Sequence, residues 1–129
     1  MASIFVVEDH QLLSGALRRI LRERGGFDVV GMVPTAEQAL EDLDGLKVDL
    51  VLVDVSLPGM NGIDLVAALQ NRRKGLPCLM LSGHSSRQYV ERSMEVGARG
   101  YVLKDDIAGI LEGIRRVLAG GTYISKQLQ

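Results

Sequence analysis

The chain has 129 residues, a mass of 14.0 kDa and a formal net charge of −1. That length predicts one domain, Leu, Ile, Val and Phe supply 42 of its residues, which excludes disorder by composition, and the balanced charge argues against a free-standing nucleic-acid binder. A lone cysteine, Cys78, excludes a disulfide scaffold and makes a reducing cytoplasm the default, while no apolar run reaches the roughly 20 residues of a membrane span.

The opening MASIFVVEDH turns acidic after seven residues, unlike a signal peptide. Its core, residues 3–7 (SIFVV), is short and β-branched and reads as a buried strand. From Leu13 the spacing becomes helical. Leu13, Ala16, Leu17, Ile20 and Leu21 share one face, and Arg18, Arg19, Arg22 and Glu23 the other. Gly25 and Gly26 stop that helix, and residues 27–33 read as a second strand. Thr35-Ala36-Glu37-Gln38 has the form of a capping box, opening a helix to about Leu46. Residues 50–55 (LVLVDV) are apolar on both parities except for Asp54, the mark of a parallel strand covered on both faces. A loop, PGMNG at 58–62, leads to a helix over 63–70. Then come a strand at 78–81, a helix at 86–96 and a strand at 100–103. A final helix carries Ile107, Ile110, Leu111, Ile114 and Leu118 as its apolar stripe. Five strand–helix alternations predict an α/β fold with a five-stranded parallel sheet and helices on both faces. The tail, GGTYISKQLQ at 120–129, shows no period.

Ligands of open α/β sheets bind beyond the carboxyl ends of the strands. Those ends carry Glu8 and Asp9 after the first strand, Asp54 in the third, Ser82 after the fourth and Lys104 after the fifth. Three converging carboxylates repel one another, and a hard divalent cation relieves that. Oxygen ligands without His or Cys favour Mg²⁺. Mg²⁺ commonly bridges carboxylates to phosphate, so the implied substrate is phosphoryl. Lys104 then neutralises phosphoryl oxygens, Ser82 donates to one, and Asp54 is placed as the nucleophile.

With these placements, VVEDH at 6–10, LVDVSLPGMNG at 52–62, LSG at 81–83 and GARGYVLKD at 97–105 resemble the receiver domain of two-component response regulators. The resemblance covers about residues 3–120. Lys104-Asp105 and His10 after the acid pair are similar to the NarL/FixJ (LuxR-type) subfamily. The resemblance implies a flavodoxin-like (βα)5 domain with strand order 2-1-3-4-5. It implies Asp54 as phosphoacceptor, with Lys104 and Ser82 on the phosphoryl group. Asp9 would ligate Mg²⁺ directly, Glu8 largely through water, and the main-chain carbonyl of Ser56 would join them. Ser82 and Tyr101 would form the switch, Tyr101 turning inward as Ser82 moves. A sensor histidine kinase would supply the phosphoryl group. The chain would be a signalling module rather than an enzyme, catalysing only its own phosphorylation and dephosphorylation. Residues 1–120 would be the receiver, and 121–129 the start of a linker to a DNA-binding output domain absent from this chain, making transcription the regulated output.

Other residues have plainer readings. Ser56 and His84 occupy positions flanking the attacking water in this family; a solvated loop is the default for His84 and for His10. Arg18, Arg19 and Arg22 read as a solvated face, Cys78 as core, and Met60 and Met94 as ordinary methionines. The edge of the last helix, with Arg115 and Arg116, is a candidate homodimer surface. The alternative from another class is a Mg²⁺-dependent aspartyl-phosphate phosphohydrolase. Such enzymes carry a second Asp two residues after the nucleophile, where this chain has Ser56. Nucleotide-binding readings fail, because neither glycine-rich phosphate motif occurs.

Overall fold

The computed structural model describes residues 1–129. Five strands alternate with five helices: β1 (Ser3–Val7), α1 (Gln11–Glu23), β2 (Asp28–Val33), α2 (Ala36–Leu43), β3 (Leu50–Asp54), α3 (Gly62–Arg72), β4 (Cys78–Ser82), α4 (Arg87–Glu95), β5 (Gly100–Leu103) and α5 (Ile107–Leu118). A short β6 (Tyr123–Ile124) and a 3-10 turn at Lys126–Leu128 follow. All pairings are parallel, and the order is β2-β1-β3-β4-β5-β6. The expected 2-1-3-4-5 order is present, with a sixth strand added at one edge.

Alternation along the strands divides the core in two. Phe5 and Val7, Val51 and Val53, Cys78 and Met80, and Tyr101 face one layer, where α2, α3 and α4 pack. Ile4 and Val6, Leu50 and Leu52, Leu79 and Leu81, and Val102 face the other, against Leu17 and Leu21 of α1 and Ile110, Ile114 and Val117 of α5. The central strands β3 and β4 are buried along their whole length, as their two-sided apolar pattern requires.

The helix starts follow from side-chain caps. Thr35 Oγ1 accepts from Gln38 N at 3.1 Å. The Gln38 amide turns away to Asp42 Oδ1 at 2.7 Å, so only one arm of the capping box forms, and α2 stops at Leu43. Asn61 caps α3 through Asp64 N. His10, expected in a plain loop, caps α1: its Nδ1 accepts from Leu13 N at 3.3 Å. That cap starts α1 two residues before Leu13, and Ala16 lies exposed rather than on the core face.

The tail departs most from expectation. Strands β1 to β5 are joined by crossovers of one hand, α1 on one face while moving toward β2, and α2 to α4 on the other while moving toward β5. Helix α5 continues in that second direction but packs on the α1 face, so the β5–α5–β6 crossover has the opposite hand. The usual handedness rule argues against such a strand, and two residues carry no period. β6 forms because its backbone completes the β5 edge: Tyr123 N donates to Arg99 O, and Ser125 N to Tyr101 O. No helix is long and apolar enough to cross a membrane.

Candidate functional site

The carboxyl ends of β1, β3, β4 and β5 meet on one side of the sheet. Glu8 follows β1, and Asp54 closes β3; the two are 2 % and 1 % exposed. Asp9, one residue on, is exposed. One carboxylate oxygen from each of Glu8, Asp9 and Asp54 lies within 4.8 Å of the others. Lys104, after β5, reaches across the ends: Nζ stands 3.1 Å from Asp54 Oδ2 and 3.2 Å from Glu8 Oε1.

One cation thus serves two buried carboxylates, and it serves them unequally. Its hydrogen bond to Asp54 is the shorter, and its bond to Glu8 runs at 3.4 Å to Oε2. Glu8 Oε2 also accepts from His10 N at 3.0 Å. Glu8 Oε1, although close to the ammonium, has no aligned hydrogen bond. Burial holds the Glu8 carboxyl above its ordinary range, and the Asp54 charge adds to that; the His10 N–H and Lys104 oppose it. Burial alone would lower Lys104, but the hydrogen bond and charge of Asp54, aided by Glu8, outweigh it and hold the ammonium above its ordinary value.

Two buried carboxylates that share one ammonium, with a neighbouring acid, fit a hard divalent cation. The donors are all oxygen, which suits Mg²⁺ or Ca²⁺ better than Zn²⁺.

The rest of the site is built by turns. Ser56 N donates to Asp54 Oδ1 at 3.0 Å, so the loop after β3 folds back over the acid. Gly62 N donates to Val55 O at 2.9 Å. A Cβ at Gly62 would collide with the Asp54 carbonyl, which explains the glycine that ends PGMNG. Ser82, fully buried, sits one register step beyond the Asp54–Leu81 pair. Its Oγ accepts from His84 N at 2.9 Å. Tyr101 is also fully buried, and its hydroxyl donates to His84 O at 2.9 Å. Tyr101 thus lies inward, held by the loop after β4. Burial pushes its hydroxyl above the ordinary range.

His84 is exposed in the loop after β4, as expected, and it also makes contacts that the sequence does not announce. Its main chain anchors Ser82 and Tyr101, its Nε2 lies 3.1 Å from Ser56 Oγ, and its ring meets Tyr89 edge-on at 5.3 Å. Sequence spacing hides this, because 28 residues separate His84 from Ser56. Arg115 and Arg116 are exposed on α5, with Arg116 bound to Glu112 at 2.9 Å.

A family model for the response regulator receiver domain matches residues 4–115. The transcriptional regulatory protein DegU of Brevibacillus brevis is 34 % identical over 94 % of this chain and 52 % of its own length. The response regulator GacA of Pseudomonas viridiflava is 32 % identical over 99 % of this chain and 60 % of its own. The chain thus spans a little over half the length of these curated relatives. Among solved structures, a two-component response regulator of the LuxR family from Aurantimonas superposes with a TM-score of 0.95 at 29 % identity. That match covers 99 % of this chain and 92 % of that one. Nothing in these likenesses supports the phosphohydrolase alternative.

Proposed function

This chain belongs to the response regulator receiver family, and from that premise we propose that Asp54 is its phosphoacceptor, in a Mg²⁺-dependent transfer from a sensor histidine kinase. The observation that carries the reading is the buried Asp54 carboxylate held 3.1 Å from the Lys104 ammonium, which it shares with the buried Glu8 carboxylate.

An oxygen of Asp54 attacks phosphorus; the new O–P bond forms as the bond to the donor breaks, and the donor leaves with that electron pair. Lys104 shifts its charge from the carboxylate to the arriving phosphoryl oxygens. Ser82 turns its Oγ from His84 N toward one of them. Glu8, Asp9, Asp54 and the main-chain carbonyl of Ser56 would hold Mg²⁺, Glu8 largely through water. Bound there, Mg²⁺ would neutralise charge between the carboxylates and the phosphoryl group.

Ser82 and Tyr101 form the switch in this reading. Two arrangements separated by a few kcal/mol can be biased by one phosphoryl contact. The chain's catalysis is limited to its own phosphorylation and hydrolysis. Residues 1–120 act as the receiver, and 121–129 begin the connection to a DNA-binding output domain. The names of the relatives support transcription as the output. A net charge of −1 and helices alternating with strands support leaving DNA contact to another domain. The cytoplasm, where such kinases present their donor, is its compartment. The exposed edge of α5 with Arg115 and Arg116 is the surface for any homodimer.

Acetyl phosphate with Mg²⁺ tests the assignment. Intact-mass spectrometry should show one phosphoryl adduct on the wild-type chain and none on Asp54→Asn. An adduct that survives the substitution would overturn it.

A further inference from the structure

Residues 120–129 lie beyond the stretch matched by the family model, yet they carry a serine with no exposure at all, Ser125. Its Oγ accepts from Leu103 N at 3.1 Å and donates to Asp106 Oδ2 at 2.9 Å. Asp106 N in turn donates to Leu103 O at 3.1 Å. Residues 103–106 therefore form a turn gripped at both ends by one hydroxyl, and Lys104 stands inside that turn.

We propose that Ser125 is a positioning residue for Lys104, an inference that rests on the phosphoacceptor reading above. Lysine carries its ammonium on a flexible four-carbon stem. The head is reproducibly placed only if the backbone at its root is fixed. Three bonds fix that root: the two made by Ser125 Oγ, and Lys104 N to Ser82 O at 2.8 Å. Asp106 also caps α5, its Oδ1 accepting from Gly109 N at 2.9 Å, so the turn is tied to the helix as well as to the tail.

A purely structural role for the tail would need only backbone pairing. Ser125 N to Tyr101 O already supplies that, and any residue except proline could supply it. The hydroxyl alone reaches the lysine turn. Nothing in the clamp touches β1 or the β3 loop, which carry the metal-ligating groups.

The test uses the full 129-residue chain and reads two quantities: the rate of Asp54 labelling by acetyl phosphate at saturating Mg²⁺, and the Mg²⁺ dissociation constant. Ser125→Ala should slow labelling about tenfold, because small misplacements of a group that meets developing charge are costly. Mg²⁺ affinity should not fall. Ser125→Thr, which keeps the hydroxyl, should restore the rate. In a Lys104→Ala background Ser125→Ala should have no further effect, since the two act through one group. Thermal unfolding of each variant reports whether it folds. The clamp is overturned if Ser125→Ala labels at the wild-type rate, if its effect persists without Lys104, or if Mg²⁺ binding falls in parallel with the rate. A wild-type chain that takes no phosphoryl group would overturn the phosphoacceptor reading and the clamp with it.

Discussion

The two ends of the sheet use the same residue types in opposite ways. At the amino ends, Asp28 and Asp49 are exposed. Asp49 Oδ2 accepts from Ser3 N at 2.7 Å, so this acid serves the backbone and remains in water. At the carboxyl ends, Glu8 and Asp54 are buried, share one ammonium, and leave Glu8 Oε1 without a hydrogen bond. A buried polar atom without an aligned hydrogen bond costs free energy, and a buried excess of negative charge costs more. The amino end is built for stability, whereas the carboxyl end gives some stability up to gather charge, which the proposed function assigns to a cation and a phosphoryl group.

The contrast is broken most directly by neutralising one acid at each end. Asp9→Asn should weaken Mg²⁺ binding more than about tenfold, a loss that even residues merely orienting a ligand can cause. Asp49→Asn should leave it unchanged. Lys104→Ala should tighten Mg²⁺ slightly by removing a nearby positive charge. Isothermal titration of the three variants decides; equal losses at Asp9 and Lys104 would place the ion elsewhere.

A smaller effect concerns stability. Glu8→Gln should stabilise the metal-free protein in urea unfolding, because a neutral amide avoids the burial cost that raises the Glu8 carboxyl. The sign follows from linkage. A carboxyl raised on folding binds its proton more tightly in the folded state, so its contribution falls as pH rises from its ordinary value of 4.5 through the folded one. The advantage of Glu8→Gln should therefore be absent at low pH and grow across that window. Saturating Mg²⁺ should reverse it, because the wild-type carboxylate gains a partner that glutamine cannot match.

The smallest effect is expected at Cys78, which opens β4 at the amino end of the sheet. Burial pushes its thiol up to about 12, so the thiolate is scarce at neutral pH. A thiol reagent at pH 8 should leave the folded chain unmodified and titrate one thiol in urea. Fast modification of the folded chain would show that this end opens more readily than its packing implies.

Much of this contrast was legible in the sequence. Two-sided apolar runs such as LVLVDV mark the central strands, and the acids, Ser82 and Lys104 fall where those runs stop. Those placements depend only on strand ends, which hydrophobic patterning locates well. What escaped depends on contacts across the chain. His84 reads as a loop residue because nothing local announces that it meets Ser56 and anchors both Ser82 and Tyr101. The cap made by His10 depends on a ring nitrogen that propensity does not anticipate. Residues 123–125 lack any period, and their pairing arises because β5 offers an open edge that α5 brings the chain back to cover.

Amide hydrogen exchange with Mg²⁺, with and without beryllofluoride, tests most directly whether the carboxyl end is the responsive one. Slowed exchange is predicted around Asp54, at residues 82–86 and across the lysine turn at 103–106, with the amides of Ser3, Asp28 and Asp49 unmoved. Changes confined to residues 35–46, or to the amino ends of the strands, would contradict it.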